Sequence, residues 1–124
     1  MISLDTNYLI NALVEGSPEA GRVFAWLEAG EDLCVSSVVW YEFLCGPVDD
    51  DAIDTIRTII CDRVLPYTAD QAVESARLFN AVGRKRGLRV DSIIAASAIV
   101  TNASFATDNT VDFEKFVPFG LRLV

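Results

Sequence analysis

The sequence contains no histidine, and this absence narrows the chemistry that the chain can perform. Histidine is the commonest general base near neutral pH, and it activates serine and cysteine nucleophiles in many hydrolases. Hydrolysis by this chain would therefore require carboxylates, and we expect a metal ion to assist them.

Cysteines are also few, and their spacing excludes two further classes of site. Cys34, Cys45 and Cys61 are an odd number and contain no Cys-x-x-Cys pair. This argues against both a disulfide framework and a zinc site. We expect all three to be thiols buried in the core.

Long apolar runs are missing as well, and we expect no secretory signal. Hydrophobic residues make up 52% of the chain, but charges interrupt every apolar stretch before the ~18 consecutive residues that a membrane span needs. No basic segment precedes an apolar one in Met1 to Asp5. We therefore expect a cytoplasmic protein without a membrane span.

Basic residues are scarce in the first half of the chain, and the formal net charge is −8. Residues 1–54 carry eleven acids and one base, Arg22, whereas residues 55–124 carry nine bases and seven acids. Four bases form a cluster that we call the basic turn: Arg84, Lys85, Arg86 and Arg89. It has two interpretations, a solvated helix end and a contact with nucleic-acid phosphates.

Short apolar strands alternate with amphipathic helices along the whole chain. The pattern predicts strands at residues 2–4, 33–35, 64–65, 104–107 and 121–123. Between them, Ser36 or Ser37 is expected to cap one helix, and Thr68 with Gln71 to form the capping box of another.

This alternation, without repeats or linkers, is typical of a parallel sheet covered by helices on both faces. We predict a single α/β domain over residues 1–124, with three α/β/α layers and a mostly parallel central sheet of four to five strands. Ligands of such sheets bind beyond the carboxyl ends of the strands. Acids at those positions are therefore the candidate functional residues.

Five acids are candidates, most of them at strand ends or helix starts and one, Glu42, within a helix: Asp5, Glu42, Asp91, Asp108 and Asp112. Each alone has an ordinary structural explanation. Asp5 could cap a helix, and Asp91 or Ser92 could cap the apolar helix that continues to Val100. Glu42 could lie on a solvated or a partly buried helix face, and the two remaining aspartates could simply form turns.

Taken together, the five acids predict a metal site. Two carboxylates ~4 Å apart repel by about 4 kcal/mol at an effective dielectric constant of 20. A cluster of them therefore needs cations or protons for compensation. Mg²⁺ prefers hard oxygen ligands, retains several waters and needs neither imidazole nor thiolate.

Four segments resemble, in order, the motifs of the PIN-domain family, the nuclease fold of VapC-type toxins. They are Leu4–Asn7, Ser36–Glu42, Asp91–Ala96 and Ala106–Phe113. Any one of these motifs is weak evidence, whereas all four in the right order across essentially the whole chain make the resemblance specific.

The resemblance implies Mg²⁺ or Mn²⁺ bound by an acid from each motif, and metal-activated water that attacks an RNA phosphodiester. The implied ligands are Asp5, Glu42, Asp91 and one acid of the last motif, with Asp112 favoured over Asp108. The residues expected to orient ligands or waters are Thr6, Asn7, Thr107 and Asn109.

The resemblance also implies partners: an RNA substrate such as transfer RNA, a second copy of the chain in a homodimer, and a cognate antitoxin whose arm blocks the acidic site. DNA would be reached only through the antitoxin. Four aromatic side chains, Trp26, Trp40, Tyr41 and Phe43, are expected in the core, with partner docking as the other interpretation.

Two alternatives to a toxin-type endoribonuclease stay open. One is a non-catalytic PIN module that binds an antitoxin-like partner in a DNA-bound regulatory complex, and the intact set of acids favours the enzyme over it. The other is a phosphotransfer or dehalogenase-like domain with Asp5 as the nucleophile. The only lysines, Lys85 and Lys115, lie outside the setting that this chemistry would require.

Overall fold

The first strand along the chain lies in the middle of the sheet. The computed structural model describes residues 1–124, and its four strands lie parallel in the order β3-β2-β1-β4. The strands are β1 (Ile2–Leu4), β2 (Leu33–Ser36), β3 (Val64–Leu65) and β4 (Ser104–Ala106). Because all four run in one direction, their carboxyl ends meet at the same edge of the sheet.

Seven α-helices cover this sheet and complete the three-layer α/β/α architecture, as predicted. They are α1 (Thr6–Ala12), α2 (Pro18–Glu28), α3 (Ser37–Leu44), α4 (Asp50–Ile59), α5 (Ala69–Ala81), α6 (Arg89–Val100) and α7 (Thr110–Phe113). Two 3₁₀ turns, Arg86–Leu88 and Glu114–Phe119, precede α6 and follow α7. None of the helices combines the length and the hydrophobicity that a membrane crossing requires.

Side-chain caps begin most of the helices. The capping side chains, which accept a hydrogen bond from a first-turn amide, are Asp5, Ser17, Ser36, Asp49 and Thr68. Each satisfies an amide that has no partner within its helix, which stabilises the helix by about 1 kcal/mol. Of the two serines proposed for α3, Ser36 is the cap.

A single core of 22 buried apolar residues joins the sheet to the helices. Leu4, Leu33 and Phe105 contribute strand side chains with no exposed surface. The ring of Phe105 packs against Phe113 of α7, with 4.7 Å between ring centroids. This contact anchors α7 beside β4 and thereby positions Asp112.

The start of α6 differs from the prediction. Leu88 occupies the N-cap position without a side-chain cap, and Ser92 Oγ donates a hydrogen bond to the carbonyl of Leu88 at 2.6 Å. The expectation that Asp91 or Ser92 caps this helix was therefore wrong, because the preceding 3₁₀ turn runs directly into it. Asp91 lies inside the first turn, where a negative charge interacts favourably with the helix dipole.

Two other local predictions were only half right. Thr68 Oγ1 accepts from the amide of Gln71 at 3.2 Å, but Gln71 Oε1 accepts from Ser97 Oγ instead of returning to the cap. At the carboxyl-terminal end, only an isolated parallel bridge joins Leu123 to Phe105, where a strand was predicted.

Two thiols and one aromatic ring lie on the surface, contrary to prediction. Cys34 is buried, but Cys45 and Cys61 are exposed. Cys45 terminates α3, and Cys61 occupies the turn after α4 with φ of 49°. Tyr41 is 68% exposed, whereas Phe43, two residues along the same helix, belongs to the core.

Candidate active site

Asp5 lies directly after the central strand and is almost fully buried, at 6% exposure. Its Oδ1 accepts the amide of Thr6 at 2.8 Å, and its Oδ2 accepts Thr107 Oγ1 at 2.6 Å and Asn7 Nδ2 at 3.3 Å. Burial raises the pKa of Asp5, and the three hydrogen bonds oppose that effect by stabilising the charged form. The carboxylate is thus fixed in orientation.

Glu42 reaches the same region from α3, which begins where β2 ends. Thr6 Oγ1 donates to Glu42 Oε1 at 3.2 Å, so one threonine contacts Asp5 through its amide and Glu42 through its hydroxyl. Although Glu42 as a whole is exposed, partial shielding of its carboxyl group raises its pKa. The Thr6 hydrogen bond lowers this pKa, and the negative charge of Asp5 raises it.

Asp91 connects these acids electrostatically to the last motif. Its pKa is raised to about 6, first by burial and then by the charges of Asp112, Asp5 and Glu42. Charges from α3, α6, α7 and the cap of α1 therefore act on one another. We call Asp5, Glu42, Asp91 and Asp112 the acidic cluster.

Asp112, rather than Asp108, is the aspartate of the last motif that acts on Asp91. Asp112 accepts a hydrogen bond from Asn109 Nδ2 at 3.2 Å and lies 3.6 Å from Lys115 Nζ. Asp108 is exposed, and its Oδ2 accepts from Asn11 Nδ2 at 3.2 Å. The two neighbouring aspartates thus occupy different environments.

Backbone amides of the loop after β4 bond to two of the predicted supporting residues. Thr107 Oγ1 accepts from the amide of Asn109 at 3.0 Å, and Asn7 Oδ1 accepts from the amide of Asp108 at 3.1 Å. Since Thr107 and Asn7 also donate to Asp5, these bonds fix the loop against the start of α1. The supporting residues are therefore suited to orienting carboxylates.

The basic turn and Lys115 differ in whether they contact the acidic cluster. No hydrogen bond or ion pair joins the basic turn to the acidic cluster, and Arg89 lies over the ring of Phe79 with 5.2 Å to its centroid. RNA contact by the basic turn stays a prediction. Lys115 does reach the cluster, and sequence reasoning missed it. Its i,i+3 spacing from Asp112 was the available signal.

The donor chemistry of the cluster fits a hard divalent cation, although no three side chains surround one point closely enough to chelate an ion as placed. Mg²⁺ does not need three, because it commonly binds through one or two carboxylates, retained waters and substrate phosphate. Burial raises the pKa of Asp91 most, and the charges of Asp112, Asp5 and Glu42 add to this effect, so a cation beside these acids would offset part of the cost of ionisation. The assignment of individual ligands stays a prediction.

Asp5 is poorly suited to act as a nucleophile. Both of its oxygens already accept hydrogen bonds, and the lysine of this region contacts Asp112 instead. Nothing in its contacts supports the phosphotransfer or dehalogenase-like alternative.

The fold and these side chains define an α/β protein with a carboxylate cluster beyond the carboxyl edge of a parallel sheet. The chain belongs to the PIN-domain family, because the family model described as "PIN domain" matches residues 2–116. The resemblance inferred from four short motifs is thereby confirmed.

Solved structures share this fold over almost the full length of the chain. FitAcB from Neisseria gonorrhoeae is 23% identical with a TM-score of 0.73, and the match covers 99% of this chain and 96% of that chain. DNA-bound VapBC from Salmonella typhimurium is 22% identical with a TM-score of 0.75 and the same coverage.

A third solved structure, a toxin-antitoxin complex from Klebsiella pneumoniae, is 28% identical with a TM-score of 0.69. The match covers 91% of this chain and 90% of that chain. Among curated proteins, no sequence match was found.

Proposed function

We propose that this chain is a metal-dependent endoribonuclease that hydrolyses RNA phosphodiester bonds, with Mg²⁺ as its ion and Mn²⁺ as a substitute. The observation that carries the proposal is that four carboxylates act on one another: burial, and after it the charges of Asp112, Asp5 and Glu42, raise the pKa of Asp91 to about 6. Such a cluster is stable as carboxylates only with a compensating cation. The chain offers no histidine that could replace this chemistry.

The hydrogen-bond partners of the acidic cluster would position the carboxylates for this reaction. When bound, the ion acts as a Lewis acid toward water and phosphate oxygens. Thr6, Asn7 and Thr107 hold Asp5 as an oriented carboxylate, and the Thr6 hydroxyl fixes Glu42. These contacts position both acids before substrate arrives, which avoids reorganisation during the reaction.

We assign proton transfer to Asp91, because its carboxylate lies among the other acids of the cluster and accepts no hydrogen bond from a protein donor. In the proposed step the water oxygen forms a new bond to phosphorus while the bond from phosphorus to the leaving sugar oxygen breaks. A carboxylate oxygen of Asp91 accepts the proton from the attacking water, and the leaving oxygen is protonated from solvent.

Cleavage of pooled cellular RNA tests the proposal directly. Wild-type protein is expected to release discrete fragments with Mg²⁺ and none with EDTA, and Asp5→Asn is expected to be inactive. Asp70→Asn is the matched control, because it removes one exposed carboxylate from α5, away from the cluster. Cutting that persists after chelation, or in Asp5→Asn as strongly as in Asp70→Asn, would exclude this mechanism.

Thermal unfolding provides a second measurement that does not depend on activity. Mg²⁺ that binds only the folded chain raises its melting temperature. We expect this rise for wild type and Asp70→Asn, and a smaller one for Asp91→Asn. Equal rises in all three would place the ion elsewhere.

We propose further that the chain is the toxin of a type II toxin-antitoxin pair. The three solved relatives are toxin-antitoxin complexes or VapBC and FitAcB assemblies, and one is DNA-bound. The acidic first half of the chain would attract a basic segment of an antitoxin. Expression of wild type alone should stop bacterial growth, whereas Asp5→Asn should not.

A non-catalytic role in a DNA-bound regulatory complex is the second candidate, and the DNA-bound relative favours it. It predicts partner binding without RNA cleavage. Wild-type protein that neither cleaves RNA nor stops growth, yet binds a cognate antitoxin, would support this role over the enzyme.

The basic turn is proposed to guide RNA phosphates toward the cluster, because its cations are exposed and unpaired with the acids. Reversing the charge of Arg84 and Arg86 to glutamate should weaken RNA binding and flatten its dependence on salt. Unchanged affinity and salt dependence would remove this part of the proposal.

A further inference from the structure

A cavity of about 480 Å³ adjoins the acidic cluster, and the proposed mechanism makes no use of it. Its lining residues are Tyr8, Arg22, Trp26, Thr107, Thr110 and Val124. Thr107 also donates to Asp5 Oδ2 at 2.6 Å. A molecule in this cavity would therefore lie one side chain away from the central carboxylate.

The cavity contains the only basic side chain in the first 54 residues of the chain, Arg22. Arg22 Nη1 donates to Tyr8 Oη at 2.8 Å, and the guanidinium makes no ion pair within 4.0 Å, although the charges of Glu19 and Asp108 act on it at longer range. Since a guanidinium carries five N–H donors, most of them stay available. Their planar arrangement suits a phosphate.

An aromatic pair forms part of the same wall. Tyr8 is buried, and its ring stacks on the half-buried indole of Trp26 with 5.8 Å between centroids and 24° between planes. The Tyr8 hydroxyl meanwhile fixes Arg22. Trp26 is thus held by its neighbour and borders the open cavity, an arrangement that can accept a stacked nucleobase.

We propose that this cavity receives one nucleotide of the RNA strand beside the cleaved phosphate, with Arg22 binding its phosphate and Trp26 stacking on its base. The inference rests on the proposed ribonuclease function and deepens it by assigning a substrate subsite. RNA is favoured over a protein partner because a strand that crosses the acidic cluster must continue over a neighbouring surface, and Thr107 belongs to both sites.

Salt-dependent binding tests the role of Arg22. The probe is a short single-stranded RNA of mixed sequence, and every protein carries Asp5→Asn so that the probe is not cut. Loss of one phosphate contact lowers the slope of log affinity against log salt by about 0.7 for a single strand. We expect Arg22→Gln to show that decrease with roughly tenfold weaker binding.

Arg57→Gln is the matched control, because it removes one positive charge from an exposed position of α4, outside the cavity. It should keep the slope and the affinity. Arg22→Lys, which keeps the charge and loses the planar donor arrangement, should fall between wild type and Arg22→Gln.

Tryptophan fluorescence tests the stacking, since Trp26 and Trp40 are the only two indoles in the chain. Stacking of a base should quench the emission of the Asp5→Asn protein. The quench should persist in Trp40→Phe and vanish in Trp26→Phe. Thermal unfolding checks that both variants are folded.

The outcomes separate this inference from the proposed function. RNA binding and cleavage that are unaffected by Arg22→Gln and Trp26→Phe would overturn the subsite and leave the ribonuclease standing. Absence of both cleavage and binding in wild type would overturn the ribonuclease and the subsite together. Variants that change only self-association, measured by sedimentation, would assign the cavity to a protein contact and also overturn the subsite.

Discussion

Two groups of polar side chains lie within this fold, and they are satisfied in different ways. Between α5 and α6, Tyr67 Oη donates to Ser75 Oγ at 2.9 Å, Ser75 Oγ to the carbonyl of Gln71 at 2.6 Å, and Ser97 Oγ to Gln71 Oε1 at 3.0 Å. We call these four residues the neutral network. Every buried polar side-chain atom in the chain has a partner.

Side chains of the acidic cluster also accept hydrogen bonds, but these bonds do not remove the repulsion between the negative charges of the cluster. Asp5 accepts three donors, but the pKa of Asp91 is raised to about 6, first by burial and then by the negative charges of Asp112, Asp5 and Glu42. Burial of polar groups alone therefore does not mark a functional site. Uncompensated like charge does, because it costs stability unless a ligand offsets it.

Asp91→Asn should have the largest effect and should separate function from stability. We expect RNA cleavage to fall by about 100-fold or more. The free energy of unfolding without metal should rise by on the order of 1 kcal/mol, after allowance for solvent screening of this half-buried group. Cleavage assays and chemical denaturation measure the two effects. A variant that is both active and less stable would contradict the comparison.

Gln71→Ala, in the neutral network, should have effects opposite to those of Asp91→Asn: lower stability and unchanged activity. The substitution removes a side chain that is 2% exposed, together with its bond to Ser97. We expect a loss of about 2 kcal/mol of unfolding free energy, with cleavage per folded molecule unchanged. Asn80→Ala, at an exposed position of the same helix, is the control and should leave stability unchanged. A large loss of activity in folded Gln71→Ala would link the two groups functionally.

The pH dependence of stability provides a further test of the difference between the acidic cluster and the neutral network. The folded-state pKa of Asp91, about 6, exceeds its ordinary value of 3.8, so the folded chain binds this proton more tightly than the unfolded chain. The cost of ionisation is absent below about pH 4, grows as pH rises, and is complete above about pH 6. Wild type without metal should therefore lose stability relative to Asp91→Asn across this range.

Melting temperatures of both proteins at several pH values measure this difference, and saturating Mg²⁺ should reduce it. A stability gap that is already complete at pH 4 would contradict the shifted titration of Asp91. The gap should be on the order of 1 kcal/mol at neutral pH.

The sequence predicted the sheet and the helices because their signals are local: apolar spacing, and caps such as Ser36. It also predicted correctly that Asp5 follows the first strand, because the end of an apolar strand can be identified from the sequence. It favoured Asp112 over Asp108 only narrowly, because the position of Asp112 depends on how Phe113 packs against Phe105. The inward turn of Gln71 likewise follows from its contact with α6.

Lys115 gives the smallest and most diagnostic effect, because it is the only protein cation in contact with the acidic cluster. Its Nζ lies 3.6 Å from Asp112 Oδ1, and its charge lowers the pKa of Asp91. A metal ion at the cluster would compete with this charge. Lys115→Gln should therefore bind Mg²⁺ about threefold more tightly, as expected for loss of a partly exposed ion pair. Calorimetric titration measures it, with Lys85→Gln as the charge-matched control, and weaker binding in Lys115→Gln alone would show that the lysine supports the ion rather than replacing it.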